Sequence, residues 1–322
     1  MSNNINDQEV WIVGAGPMAV DHAKVLLHLG IKPQVIGRGE QSAQYFEKET
    51  KLSVIRGGID TFLLDTKPQN NTFIIIAVGT EALMPMLLKF KNLSFNRILI
   101  EKPAAISINE LLAHKQDLEY IQDKVFVAYN RRFYPSVQKA IELIKEDGGL
   151  QSMHFEFTEW SHKIAPLQKA PGVKENWFFA NSTHVVDLAF FIAGQPKDWR
   201  AFSKKGTLDW HDKSFFSGAG ITDKGVVFSY HSNWESAGRW GVELMTEKRK
   251  ILLKPLEEVQ IIKRGTISTS QINDDSINTH GLKPGLLEQG KAFIDTAIED
   301  RRLISLNLHL KIVNTVYNPI TA

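Results

Sequence analysis

Residues 10–19 read VWIVGAGPMA, and this stretch decides the fold. Val10 to Val13 is a short apolar run, the pattern of a buried strand. Gly14-Ala15-Gly16-Pro17-Met18-Ala19 follows at once as G-x-G-x-x-A, and Met18 to Leu29 has helical spacing closed by Gly30. Strand, glycine turn and helix in that order form the setting in which this motif binds a dinucleotide. Gly14 permits the tight turn, Gly16 lets the backbone approach a pyrophosphate, and Ala19 lets the helix pack closely on the sheet. The helix start then offers N–H groups and a positive dipole end to the phosphates. A tight turn without a ligand is the alternative.

Working outward, Gln34 to Ile36 reads as a second strand, and Thr72 to Val78 (TFIIIAV) as the strongest, apolar and too short for a good helix. Glu81 to Phe90 reads as a helix, Arg97 to Ile100 as a strand, and Val125 to Tyr129 as another. Ser107 to Gln122 is expected to be a helix, since Ser107 and Glu110 form an S-x-x-E capping box. This alternation predicts an α/β Rossmann domain, a doubly wound parallel sheet with helices on both faces. After Arg132 the pattern changes. Helices are expected over Pro135 to Glu146, Thr183 to Ala193 and Gly285 to Glu299, and strands over Met153 to Trp160, Gly225 to Trp234 and Val242 to Leu253. We therefore expect residues 1–130 to form a dinucleotide-binding domain. Residues 131–322 are expected to form an α+β substrate and oligomerisation domain around a large, mainly antiparallel sheet.

The end of the second strand bears on which dinucleotide is bound. NAD binders place an acid about 20 residues after the fingerprint. This chain has Gly37-Arg38-Gly39-Glu40-Gln41-Ser42, with a cation there and a hydroxyl donor nearby. Both suit a 2′-phosphate, so NADP is expected, with NAD as the alternative. A solvated loop charge at Arg38 is the competing account, and Glu40 stands close by. Val78-Gly79-Thr80 closes the strongest strand, at the carboxyl edge where ligands of open parallel sheets sit; an ordinary strand-to-helix turn is equally compatible.

The 322 residues favour two domains, and 43% hydrophobic content suffices for ordinary cores. A formal charge of +2, without a long basic block, argues against bulk nucleic-acid binding. Cysteine is absent, which excludes disulfides, thiolate zinc sites and cysteine nucleophiles. The opening MSNNINDQEV has neither a basic nor an apolar region of a signal peptide, and no apolar run reaches the roughly 18 residues of a membrane span. A cytoplasmic protein that binds no membrane is expected.

Residues 97–103, RILIEKP, end an apolar strand in Glu101-Lys102-Pro103, again at the carboxyl edge of the sheet. Lysine there can reach a nicotinamide and a substrate oxygen. Together, GAGPMA, EKP, Tyr129-Asn130-Arg131-Arg132-Phe133 and the helical His184-Val-Val-Asp187 resemble the Gfo/Idh/MocA oxidoreductases (glucose-fructose oxidoreductase, inositol dehydrogenase and relatives). The resemblance runs over nearly the whole chain in the same order. It implies hydride transfer between NAD(P) and a hydroxyl or keto carbon of a sugar, nucleotide-linked sugar or cyclitol. It also implies an active site between the domains and a homo-oligomer, dimer or tetramer, assembled through the open sheet face.

Carried over by position, the resemblance makes Lys102 the lysine at the reacting oxygen and His184 the acid/base. Asp187 lies one helical turn further on, where it would orient the imidazole or bind substrate; a surface acid is the alternative. The expected cofactor contacts are Gly14, Ala15, Gly16, Pro17, Met18, Gly37, Arg38, Ser42, Val78, Gly79, Thr80, Glu101 and Lys102. The expected substrate contacts are Lys102, Arg131, Arg132, Lys163, Asn176, Trp177, His184, Asp187 and Arg239. Arginines suit a carboxylate or a nucleotide diphosphate, and Trp160, Trp177, Trp234 and Trp240 are candidates to stack on a sugar or base. One departure stands out. Dehydrogenases of this family often carry aspartate four residues before the histidine, where this chain has Ala180. That favours a second reading, a dinucleotide-binding sensor or scaffold without turnover. Metal-dependent hydrolysis through His184 and Asp187 is a weaker third, since no further ligand has useful spacing and no metal is expected.

Overall fold

The computed structural model describes residues 8–272 and 280–322; the polar opening stretch up to Asp7 lies outside them. The chain divides into two compact units, one of residues 8–130 and 280–310, the other of 131–272 and 311–322.

The first unit begins with β1 (Glu9–Val13), α1 (Pro17–His28), β2 (Gln34–Ile36), α2 (Glu40–Thr50), β3 (Val54–Ile55) and α3 (Gly58–Asp65). It continues with β4 (Thr72–Ile76), α4 (Leu83–Leu88), β5 (Arg97–Ile100), α5 (Ile108–Ala113) and β6 (Val125–Val127). These strands are parallel in the order β6-β5-β4-β1-β2-β3. Every residue of β4 is buried, which is why its sequence is a continuous apolar run and not an alternation. Strand order reverses at β1, which lies between β4 and β2, so the crevice at the carboxyl end of β1 is the switch point where such sheets bind ligands.

The second unit holds α6 (Pro135–Glu146), β7 (Ser152–Glu156), α7 (Ser161–Ile164), α8 (Thr183–Ala193) and β8 (Pro196–Lys204). It adds β9 (Phe215–Thr222), β10 (Val227–Asn233), β11 (Gly241–Met245), β12 (Arg249–Leu253), β13 (Val259–Lys263) and β14 (Thr269–Ile272). Its sheet order is β14-β13-β12-β11-β7-β10-β9-β8, antiparallel except where β7 and β10 run parallel. The helices α6 and α8 pack on it. Along β10, buried and exposed residues alternate, the mark of a sheet with one covered face. Phe202, Ile221 and Val227 are large apolar side chains that remain exposed on its strands.

The chain then returns to the first unit through α9 (Leu286–Ile294), β15 (Ile304–Ser305) and the start of α10 (Leu306–Ile312), up to Leu310. This corrects the expectation that everything after Asn130 belongs to one domain. The physical reason is packing. A Cβ on Gly290 of α9 would lie 2.7 Å from Val25 Cγ1 of α1, so the two helices meet closely. Phe293 meets Phe73 edge-on at 5.6 Å. Arg97 donates to the carbonyls of Ala292, Phe293 and Asp295 at 3.2–3.4 Å, satisfying the C-terminal end of α9. β15 then adds to β6 antiparallel.

Three local expectations also change. The helix foreseen over Ser107 to Gln122 is regular only to Ala113 and continues as turns. Its capping box forms: Ser107 Oγ accepts from the Glu110 amide at 3.1 Å, and Glu110 accepts from the Ile106 amide at 2.7 Å. Beyond that, Leu118 and Ile121 are the buried apolar anchors, too few to hold further helical turns. Val242 to Leu253 is a hairpin, not one strand, because the Thr246 hydroxyl accepts from the amides of Lys248 and Arg249 and turns the chain. Finally, Gly285 to Glu299 is helical only through Ile294.

Candidate functional site

In the first unit, the fingerprint turn has the geometry its residues require. Gly14 has φ +122°, and a Cβ there would lie 2.2 Å from the carbonyl oxygen of Ala77, just past β4. Only glycine fits this contact between the ends of β1 and β4. By contrast, a Cβ on Gly16 would meet nothing within 4 Å, so open space lies before the first turn of α1. With proline at the first helical position, the amides of Gly16, Met18 and Ala19 precede the first α-helical bond, from Val20 to the Gly16 carbonyl at 3.1 Å. Space bounded by a helix start fits a pyrophosphate.

Past β2, a Cβ on Gly37 would lie 2.8 Å from Val54 Cγ1 and 3.2 Å from Ala15 Cβ, so this glycine also marks a close approach. Arg38 is exposed and has no hydrogen-bond or ion-pair partner among the described residues. Glu40, expected to compete with it, is engaged elsewhere: Arg56 donates to its two oxygens, each at 3.3 Å. Arg56 also pairs with Glu47, whose carboxyl is held down to about 2 by hydrogen bonds from Arg56 and the Val54 amide. The Ser42 hydroxyl donates to the Gly39 carbonyl at 2.9 Å, so the donor expected for a phosphate is already engaged. Past β4, Val78 and Gly79 lead into a 3-10 turn over Thr80–Ala82.

The Glu101-Lys102-Pro103 segment leaves β5 in a tight turn, with a cis Lys102–Pro103 bond and the Ala104 amide donating to the Glu101 carbonyl at 3.0 Å. Two histidines missed in the sequence hold it. His22 Nε2, buried on α1, lies 2.8 Å from Glu101 Oε1, and His309 Nε2, fully buried on α10, lies 3.1 Å from the Pro103 carbonyl. Glu101 was an expected cofactor contact; its carboxylate instead engages His22. Nothing in the sequence connected either histidine to the motif.

In the second unit, His184 stands on the first turn of α8, buried, directly after a π-helical turn over Phe178–Ser182 that contains Ala180. Its ring lies 6.1 Å from that of Trp240. Asp187 does not serve it. Arg132 Nε and one Nη donate to the two Asp187 oxygens at 2.8 and 2.6 Å, with both side chains buried. Arg132 and Asp187, both expected among the substrate contacts, bind each other. Asn176 donates to the Gly172 carbonyl at 2.8 Å, and Lys163 is exposed on α7. Trp177 meets Trp210 edge-on at 6.3 Å, while Trp234 is buried and stacked on Trp210.

The residues that do gather around Trp240 are Arg131 and Arg239. Their guanidinium carbons lie 4.9 and 4.6 Å from its ring. Arg239 also lies 4.6 Å from Trp160. Its charge partner is Glu159, at 3.4 Å, a buried carboxylate absent from the sequence expectations. Glu159 accepts from Ser182 Oγ at 2.7 Å and Asn181 Nδ2 at 3.0 Å, tying it to the turn before His184. Burial pushes its carboxyl above the ordinary range, against the lowering effect of Ser182, Arg239 and Asn181. The signal for Glu159 was an acid inside FTEW, closing the alternating run that begins at Met153.

Among the described residues no cluster of His, Asp or Glu could hold a metal ion, and no helix is long and apolar enough to cross a membrane. A cavity of about 510 Å³ lined by Thr246, Arg249, Lys250 and Arg264 borders the β11–β12 hairpin and includes none of the candidate residues.

No protein-family model matches this chain, and no curated protein matches it. Solved structures do. An oxidoreductase from Agrobacterium radiobacter, in complex with NAD+, L-tartaric acid and magnesium, aligns with a TM-score of 0.72 at 14% identity, over 98% of this chain and 97% of that one. Levoglucosan dehydrogenase in complex with NADH aligns at 0.71 and 14% identity, with the same coverage. The UDP-N-acetylglucosamine 3-dehydrogenase of Acidithiobacillus ferrooxidans aligns at 0.68 and 13%, again over 98% and 97%. The chain thus has the two-domain fold of these dehydrogenases, a parallel Rossmann-like sheet and a separate, mainly antiparallel one.

Proposed function

We propose that the chain is an NAD(P)-dependent oxidoreductase of the Gfo/Idh/MocA type. It would exchange hydride with the hydroxyl or keto carbon of a sugar, nucleotide-linked sugar or cyclitol. The observation that carries this reading is the fingerprint turn: Gly14 closed on Ala77 at the switch point, with open space at Gly16 before α1. Solved structures of the same fold with bound NAD+ and NADH support it. Arg38, without a partner among the described residues, favours NADP over NAD, since its fork suits a 2′-phosphate.

When bound, the nicotinamide accepts or supplies the hydride. In the oxidative direction the substrate carbon loses hydride, its hydroxyl loses a proton, and a ketone forms. Lys102 donates a hydrogen bond to that oxygen and stabilises the negative charge developing on it. His184 takes the proton, or returns it in reduction. The exposed apolar residues Phe202, Ile221 and Val227 favour a homo-oligomer joined through the open sheet.

Ala180 favours the second reading, a dinucleotide sensor without turnover. Steady-state assays with sugars and nucleotide sugars separate the two. The oxidoreductase reading predicts turnover that falls roughly a hundredfold to a thousandfold in Lys102→Ala, with cofactor binding retained. Tight cofactor binding without turnover on any of them is the sensor's result, and near-normal turnover in Lys102→Ala removes this lysine from the chemistry.

A further inference from the structure

The cluster around Trp240 contains more unengaged positive charge than the fold requires. The Nε atom of Arg131 is buried without a hydrogen-bond partner, and its guanidinium has no ion-pair partner among the described residues. Its polar surroundings are Tyr134, Glu159, Glu257 and the like-charged Arg239, and burial pushes its affinity for the proton down. A buried guanidinium donor without a protein partner is completed by water or by a ligand. Arg239 is sandwiched between Trp160 and Trp240, and Trp160 is itself fixed by donating to the Gly238 carbonyl at 2.9 Å. The side chain of Arg239 makes one polar contact among the described residues, to Glu159 at 3.4 Å, which is long for a charged hydrogen bond. The Arg239 side chain is 41% exposed, so it can be reached by a ligand.

We propose that Arg131 and Arg239, both set against Trp240 beside His184, form a carboxylate subsite, and that the substrate is therefore a sugar acid. This rests on the oxidoreductase reading above and narrows its substrate class. A planar carboxylate matches the planar guanidinium fork and completes the Arg131 donors. The Trp240 ring adjoins both arginines and His184, so one small molecule spans the subsite and the proton-exchanging imidazole.

Calorimetric titration with D-glucuronate, D-glucose and D-glucose 6-phosphate, in the presence of NADP+, tests the subsite without requiring turnover. The expected result is glucuronate binding about tenfold or more tighter than either other probe, the strength of a charge-assisted pair. Arg239→Gln and Arg131→Gln each remove about tenfold of that preference. If Arg131→Gln does not fold, the half-exposed Arg239→Gln decides alone. Glucuronate binding no tighter than glucose, tighter binding of the phosphate, or an unaltered preference in Arg239→Gln overturns the proposal. Glucuronate bound with the expected preference, but no sugar oxidised, leaves the subsite standing and overturns the oxidoreductase reading instead.

Discussion

His22 Nε2 on α1 lies 2.8 Å from Glu101 Oε1 at the end of β5, with the histidine side chain only 4% exposed. The contact joins the helix that follows the fingerprint to the residue before Lys102. Removing the imidazole leaves the Glu101 carboxylate, 12% exposed, without this partner. His22→Ala should destabilise the protein by about 1–3 kcal/mol in urea unfolding. His22→Gln, which keeps a donor, should restore most of it. Equal losses in both variants would show that ring packing, not the hydrogen bond, holds the turn.

Arg132 and Asp187 form a buried bidentate pair. Breaking such a pair strands a charge, whereas replacing both members need not. Asp187→Ala should cost about 3–5 kcal/mol, and Arg132→Met with Asp187→Leu should recover most of that loss. Denaturant unfolding of the three proteins checks it. A mild effect on stability together with a large rise in KM for Asp187→Ala would return this residue to the substrate contacts.

Glu159 gives a pH signature. Burial raises its carboxyl above the ordinary value of 4.5, so the folded state holds the proton more tightly than the unfolded chain. Stability from this group is complete below the unfolded value and declines as pH rises through the raised folded value. Glu159→Gln is neutral throughout and lacks that decline. Its melting temperature relative to wild type should therefore climb as pH rises from about 4.5 and level off above the folded value. A difference that stays flat with pH means that Glu159 is not held protonated by burial.

The parallel half was legible because its cues are local. Glycines of VGAG, the apolar run TFIII and the strand ending in EKP each carry their meaning within a few residues. Long-range pairing was not. Asp187 sits one turn from His184 in sequence, yet its partner Arg132 is 55 residues away. His22 and Glu101 are separated by 79 residues, and neither periodicity nor spacing relates them. The return of α9 depends on Gly290 meeting Val25, a small-residue contact that reads in sequence as an ordinary helical glycine. Arg131 and Arg239 were visible as arginines, but their common indole was not.

Titration of the purified protein with NADPH and NADH, followed by nicotinamide fluorescence, decides whether the fingerprint turn holds a dinucleotide. Saturable binding of one dinucleotide per chain is expected. NADPH should bind about tenfold tighter than NADH, and Arg38→Ala should remove most of that difference. Absence of binding by either dinucleotide would rule out a dinucleotide site at this turn.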